Sequence, residues 1–307
     1  MTFQISLQEI ESLLKQYTIG KYVFHKKFEK GVANYNFKLQ TTTGTYLLKV
    51  YKDRSKSQID FEIKLLRTLK GCVVQQPIKG KRYQAQLQQK PCVIFSYIQG
   101  THKLILKVKQ LYKVGEELAK IHLATANLKP KQLQKKYSYS KKWVRELLDD
   151  LQTKYPDFPK SISSFIKNTL QTIQTPALRR GIIHGDLHNE NLLFQNDLVV
   201  GIIDFDDCNI ATLLVDIGCV ISYLCINHNT GIHFEKIKSF LQGYELIRPL
   251  THAEKNHLYD YTVLFTLIHI LYHMYDKKKW NRNIRVKKRL SVLLKEGKEN
   301  FQKRILQ

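Results

Sequence analysis

His184-Gly185-Asp186-Leu187-His188-Asn189-Glu190-Asn191-Leu192-Leu193-Phe194, followed by Ile202-Ile203-Asp204-Phe205-Asp206-Asp207, is the stretch on which the reading of this chain turns. Asn191 lies five residues after Asp186, and Asp204 thirteen after Asn191. An acid, an amide and a second acid at these offsets suit phosphoryl transfer. That reaction leaves a protein little covalent work, so catalysis is positioning plus charge stabilisation. Asp186 is the candidate base, accepting the proton of an attacking hydroxyl and aiming it. Asn191 offers a neutral oxygen and Asp204 a carboxylate, both hard ligands for Mg²⁺, which bridges phosphates and offsets the charge that develops. Asp206 and Asp207 keep the site acidic, and Asp206 is a further candidate to support the metal.

The flanking sequence supplies a scaffold. Gly181-Ile182-Ile183 enters the loop as a short apolar strand, and Leu192–Phe194 and Val199–Ile203 read as strands paired around Gln195-Asn196-Asp197. Asp and Asn are also common turn formers, and any one of them alone would mean little. Both spacings met together, between apolar strands, carry the inference. A nucleotide site upstream is a test the chain could have failed. Tyr46-Leu47-Leu48-Lys49-Val50-Tyr51 is a strand with a Lys in its apolar run, and a buried Lys needs an anionic partner. Glu62, thirteen residues on, lies in a helical stripe of Ile59, Ile63, Leu65 and Leu66. The expectation is a Lys49–Glu62 ion pair with Lys49 at the ATP phosphates. Asp60 is a weaker rival for the pairing, and a snorkelling Lys on an edge strand is the alternative. Gly31, ahead of the alternating strand Asn34–Leu39, would let the backbone turn over the phosphates, although one glycine is not a glycine-rich loop. Pro91–Phe95 is another apolar strand, and Ser96-Tyr97-Ile98-Gln99-Gly100 at its end is a natural hinge whose backbone could meet an adenine edge.

These segments resemble the aminoglycoside phosphotransferase and homoserine kinase superfamily, a small-molecule branch of the protein-kinase-like fold. The resemblance spans nearly the whole chain: HGDLHNENLLF and GIIDFDD resemble the catalytic and metal loops, TYLLKVY the lysine strand, FEIKLLRTL the glutamate helix and CVIFSYIQG the hinge. It implies an α+β, two-lobed architecture with a small antiparallel sheet and one key helix in the first lobe, and a larger, mainly helical second lobe. It also implies ATP and Mg²⁺ as cofactors, Asp186 as base, Asn191 and Asp204 as metal ligands, Lys49 and Glu62 at the phosphates, and backbone contacts from Ser96 and Ile98 to adenine. His184 is then a loop-ordering residue, and Asp216 matches a family Asp that hydrogen-bonds the catalytic loop. Gly31 to Leu39, Val114 to Ala124 and Arg248-Pro249-Leu250-Thr251 lean toward the homoserine-kinase-like group. His188 and Glu190, where that group usually carries Phe and an acidic residue, and Asp206-Asp207-Cys208 after the metal Asp, depart from it.

Length and composition agree. The 307 residues, 43% hydrophobic, can bury the core of a two-lobed enzyme. The expected division is 1–100, a nucleotide-binding lobe with its hinge near 96–100, and 101–307, a helical lobe with the catalytic and acceptor sites. Helices are expected at 108–123, 141–154, 162–173, 211–225, 235–244 and 253–275, and Ser6-Leu7-Gln8-Glu9 reads as a capping box opening another. No apolar run is long enough for a membrane span and no leader opens the chain, so membrane association is not expected. Five cysteines without CxxC spacing read as free thiols in a reducing cytoplasm. His269 and His273, one helical turn apart, lack the Glu of a metal-binding HExxH and read as packed histidines.

The net charge of +24 raises the question of a polyanionic partner. Val286, Leu290, Leu293, Gly297, Phe301 and Ile305 form a stripe, so the basic tail reads as a packed amphipathic helix with a solvated face. No specific nucleic-acid partner is therefore expected, only salt-sensitive sticking. The leading acceptor is a small-molecule hydroxyl, that of homoserine or a related amino alcohol. An aminoglycoside, choline or a sugar is the alternative. A Ser/Thr protein kinase is disfavoured by Gly185 in place of the usual Arg, and a non-catalytic binding module by the intact set of Lys49, Glu62, Asp186, Asn191 and Asp204.

Overall fold

The computed structural model describes residues 3–29, 34–128, 139–275 and 284–306. Gly31 lies outside them. The chain opens with helix α1 (Leu7–Leu14), where Ser6 and Glu9 cap each other's backbone reciprocally. Strands β1 (Tyr22–Lys27), β2 (Asn34–Thr41), β3 (Gly44–Tyr51), β4 (Gln84–Leu87) and β5 (Lys90–Ser96) form an antiparallel sheet in the order β1-β2-β3-β5-β4. Central β3 alternates strictly. Leu48 and Val50 pack with Ile10, Leu13, Phe37 and Ile94 on the α1 face, while Tyr51, Val93 and Phe95 join the larger core on the other. That period of two puts Lys49 on the same face as Tyr51. Helix α2 (Lys56–Thr68) covers this face with Ile59, Ile63 and Leu66, its start fixed by a Ser55–Gln58 capping box.

Beyond the sheet the chain is mostly helical: α3 (Val108–Ala124), α4 (Lys141–Lys154), α5 (Lys160–Thr172), α6 (Leu214–Val220), α7 (Phe234–Ile247), α8 (His252–Asn256), α9 (Leu258–Met274), α10 (Ile284–Glu296) and α11 (Lys298–Leu306). Besides the short pair β10 (Ile226–Asn227) and β11 (Gly231–Ile232), two small antiparallel pairs lie among them. One joins β6 (Arg180–Ile183) to β9 (Asn209–Thr212), the other β7 (Leu192–Gln195) to β8 (Leu198–Ile202). Bridges Val74–Ile202 and Thr101–Phe194 tie this part to segments that flank the sheet. Helices α3 and α7 cross at two glycines: a Cβ on Gly115 would stand 2.1 Å from the Phe240 carbonyl oxygen, and one on Gly243 2.0 Å from that of Tyr112. Helix α9 is buried on nearly every side, the case in which periodicity gives no orientation.

Three helices expected from the sequence end differently. The segment 211–225 begins as the end of β9, because Ala211 and Thr212 pair with Gly181 and Arg180, and it closes as a widened π-type turn over Ile221–Cys225. The segment 253–275 divides at His257, where a short helix capped by Thr251 and Glu254 gives way to α9. The basic tail divides at Gly297, whose φ of +75° suits a residue without a Cβ. Leu290, Leu293 and Phe301 are buried, so the tail is packed against the body. Among the described residues no helix is long and apolar enough to cross a membrane, and all five cysteines are free thiols.

Candidate active site

Burying Lys49 obliges the fold to surround it with acids. Its Nζ donates to Glu62 Oε1 at 2.9 Å and to Asp206 Oδ1 at 2.7 Å, with both Lys49 and Glu62 almost fully buried. The Tyr51 hydroxyl holds the other Glu62 oxygen at 3.0 Å. Burial works to discharge Lys49, but Asp206 and Glu62 outweigh it and hold the ammonium well above its ordinary range. Asp60 is exposed and takes no part.

The Asp186 loop is held from below by one carboxylate. Asp216 accepts from the backbone N–H of His184 at 2.7 Å and of Gly185 at 2.8 Å. Gly185 has a φ of +84°, and a Cβ there would meet the Asp207 carbonyl oxygen at 2.7 Å, so no larger residue fits. Behind Asp216 runs a directional relay. Arg248 donates to the Tyr244 hydroxyl at 3.1 Å, which must then give its own proton to His122 Nδ1 at 2.7 Å, leaving His122 Nε2–H to donate to Asp216 at 3.0 Å. Buried Arg248 is fixed in turn by Glu254, which also holds Arg179. His184 reaches the Ile203 carbonyl oxygen at 2.9 Å and so links the loop to the one that follows.

Asn191 Nδ2 donates to the Asp186 carbonyl oxygen at 2.8 Å, which commits the amide and leaves Oδ1 for a cation. Asp204, with a left-handed φ of +66°, opens the next turn. Its carboxylate accepts no hydrogen bond among the described residues. Set in the cleft with Asp206 beside it, its carboxyl is pushed above the ordinary range by burial first and by that neighbouring charge second. Two hard oxygens poor in counter-charge fit Mg²⁺, which takes one or two protein carboxylates and completes its shell with phosphates and water. No group of three His, Cys, Asp or Glu side chains makes an all-protein cage among the described residues. Asp206 is engaged elsewhere. Lys49 and Arg54 hold Oδ1 and Asn34 donates to Oδ2 at 2.5 Å, so it clamps the lysine rather than standing ready for a metal.

At the hinge, the Ser96 N–H donates to the Gln76 carbonyl oxygen at 2.8 Å. Ser96 can therefore offer an adenine only its carbonyl, while the N–H of Ile98 is engaged by no backbone acceptor among the described residues. The structure thus brings Lys49, Glu62, Asp204 and Asp206 into one cluster and sets Asp186 with Asn191 beside it.

It also brings in residues the sequence reading did not single out for the site. His188 Nε2 lies 3.3 Å from Asp186 Oδ2, and His269 Nε2 lies 4.0 Å from Oδ1. Burial works to raise the Asp186 carboxyl, but the hydrogen bond and charge of His188, with His269 and His184, lower it below the ordinary value. The Asp186 carboxylate is thus ionised, the form a candidate base needs. His269 is a partnered histidine, bonded to the Tyr223 hydroxyl, and burial pushes its imidazole down to about 3. The His269–His273 spacing was the one visible signal of this corner.

Residues 25–250 match the profile of the Phosphotransferase enzyme family. This chain belongs to that family. Its activity is ATP-dependent phosphorylation of a small molecule. The phosphotransferase is 28% identical over 260 residues to the homoserine kinase of Bradyrhizobium diazoefficiens, an alignment covering 82% of this chain and 79% of that protein. Among solved structures, an amicoumacin kinase bound to AMP-PNP and Ca²⁺ superposes with a TM-score of 0.68 at 17% identity, covering 95% of this chain and 93% of the other. A microcompartment-associated aminopropanol kinase gives 0.66 at 15% identity over 98% and 99%. At those identities the likeness is one of fold, and the fold is the two-lobed α+β one the sequence implied.

Proposed function

We propose that the phosphotransferase moves the γ-phosphoryl group of Mg²⁺-ATP to the hydroxyl of homoserine or a closely related amino alcohol, in the cytoplasm. Residues 1–100 bind the nucleotide, with Lys49 on the phosphates, Gly31 in the turn above them, and Ser96 and Ile98 at the adenine. Residues 101–307 hold the catalytic and acceptor sites. The observation that carries the reading is one of placement: a charged Lys49 clamped by two acids faces the loop of Asp204, and Asp186 stands next to it with an ionised carboxylate. Asp186 orients the acceptor hydroxyl and takes its proton as the oxygen attacks phosphorus. A magnesium ion on Asn191 and Asp204 would supply counter-charge to the phosphates. Lys49 neutralises further negative charge without moving, because Glu62 and Tyr51 fix it. Homoserine ranks first as acceptor because the likeness to homoserine kinases covers four-fifths of the chain.

The test is ADP release across homoserine, choline, aminoglycosides and sugars. Homoserine-dependent turnover is expected, and Asp186→Ala should lower kcat by about a hundred- to ten-thousand-fold while ATP still binds. An Asp186→Ala enzyme with undiminished kcat would remove the base assignment.

A further inference from the structure

Four segments far apart in sequence converge beside Asp186. His188 comes from the catalytic loop, Tyr223 from the π-type turn, His269 and His273 from α9, and Arg289 from α10. Tyr223 is the centre of the group. Its ring lies 5.4 Å from that of His188 and 4.8 Å, edge-on, from that of His269, while the Arg289 guanidinium sits 5.4 Å over it. Widened turns of this kind recur at functional sites, because they push one side chain out of helical register. Here the turn carries Tyr223, which lies between Arg289 and His269, and His269 is 4.0 Å from Asp186.

The chemistry along this wall is graded. Next to Asp186 stands His188, whose imidazole burial works to discharge but that carboxylate raises above its ordinary value; beyond it His269, pushed down by burial, and Tyr223, pushed up, are polar and uncharged. At its far end it offers Arg289, a cation that does not titrate. Among the described residues, Asp186 and Asp207 are the carboxylates whose charge acts on Tyr223. A polycationic acceptor would meet a guanidinium where it needs carboxylates. An acceptor with a carboxylate at one end and a hydroxyl at the other finds a cation for the first and a base for the second. His269 and Arg289 also lie beyond residue 250, where the stretch that matches the family profile ends.

We propose that Arg289 receives a carboxylate of the acceptor and that His188, Tyr223 and His269 line the path from it to Asp186. The assignment rests on the phosphotransferase reading above and extends it to what the enzyme selects. Arg289 acts in specificity, not in the chemical step: it anchors one end of the molecule so that the other meets the base.

The experiment compares L-homoserine with 3-aminopropan-1-ol, the same chain without its carboxylate, and adds L-serine, glycerate and choline as further acceptors. Steady-state kcat/KM is measured for wild type, Arg289→Gln and Arg289→Lys, with thermal melts to establish folding. In wild type, homoserine should be preferred over 3-aminopropan-1-ol. In Arg289→Gln the ratio of the two kcat/KM values should fall about ten- to a hundredfold, mainly through the KM for homoserine, as expected for a lost charged hydrogen-bond partner. Arg289→Lys should retain part of the ratio. An unchanged ratio with homoserine as substrate overturns the Arg289 assignment and leaves the substrate reading standing. Turnover of a different carboxylate-bearing acceptor, with a ratio still dependent on Arg289, overturns homoserine and supports Arg289. Turnover of carboxylate-free acceptors only, or of none, overturns both.

Discussion

Changing Asp216 to Asn replaces one oxygen with an NH₂ group in a pocket with no access to water. Three donors point at that carboxylate: the His184 N–H and His122 Nε2–H at Oδ2, and the Gly185 N–H at Oδ1. The new amide does best by keeping its oxygen on the Oδ2 side, where two donors meet, and turning its NH₂ toward Gly185. One buried donor then faces another, at a cost of about 1–3 kcal/mol. The two surviving bonds lose their charge assistance, worth roughly another 1 kcal/mol. A loss of about 2–4 kcal/mol is a large share of the 5–15 kcal/mol typical of a folded domain. Gly185 is also the residue that turns the chain into Asp186, so its displacement moves the proposed base. Misplacement by about 1 Å costs up to about a hundredfold in rate. Urea unfolding of Asp216→Asn should show a lower midpoint at unchanged slope, and kcat should fall about ten- to a hundredfold. A variant with both the midpoint and kcat of wild type would refute the view that this carboxylate holds the catalytic loop.

Two further outcomes follow from the same framework. The Glu254 carboxyl stands at about 2 against an ordinary 4.5: burial works to raise it, but Arg179, Arg248 and the Thr251 backbone prevail. Its contribution is complete above pH 4.5 and lost as pH falls through 2. Wild type should thus lose stability across that window, and Glu254→Gln should flatten the slope when unfolding is followed against pH. Gly115→Ala gains about 1 kcal/mol of helix propensity but drives a Cβ to 2.1 Å from the backbone of α7, so its melting temperature should fall sharply. Gly71→Ala, with nothing within 4 Å of the added carbon, should melt like wild type.

What could be read from the sequence is what short-range rules govern. Lys49 in an apolar strand demanded an acid, the stripe of α2 offered Glu62, and they stand 2.9 Å apart. The strands around the Asp186 and Asp204 loops were likewise visible as apolar runs between turn residues. Hydrophobic periodicity failed where the surroundings are apolar on every side. Residues 211–222 are buried either way, and only the partner strand Arg180–Ile183 makes their start extended. The corner at Asp186 was hidden for another reason. His188, Tyr223, His269 and Arg289 meet through the packing of the π-type turn, α9 and α10, and apart from the His269–His273 spacing nothing local announces that meeting. Asp206 was seen as an acid near the metal. Its hold on Lys49, 157 positions away, is a fact of how the lobes close.

The paired glycines at the crossing of α3 and α7 have a bearing on how this enzyme could change over time. They let two helix backbones touch, and the backbone contact fixes where His122, two turns beyond Gly115, meets Tyr244, the neighbour of Gly243. The pitch of the catalytic loop is thus calibrated against a datum remote from any ligand. Residues on α9 and α10 can drift without disturbing that gauge, so a lineage could alter that wall while Asp186 stays in alignment. The reverse does not hold: one methyl group at the crossing would put every acceptor out of reach at once.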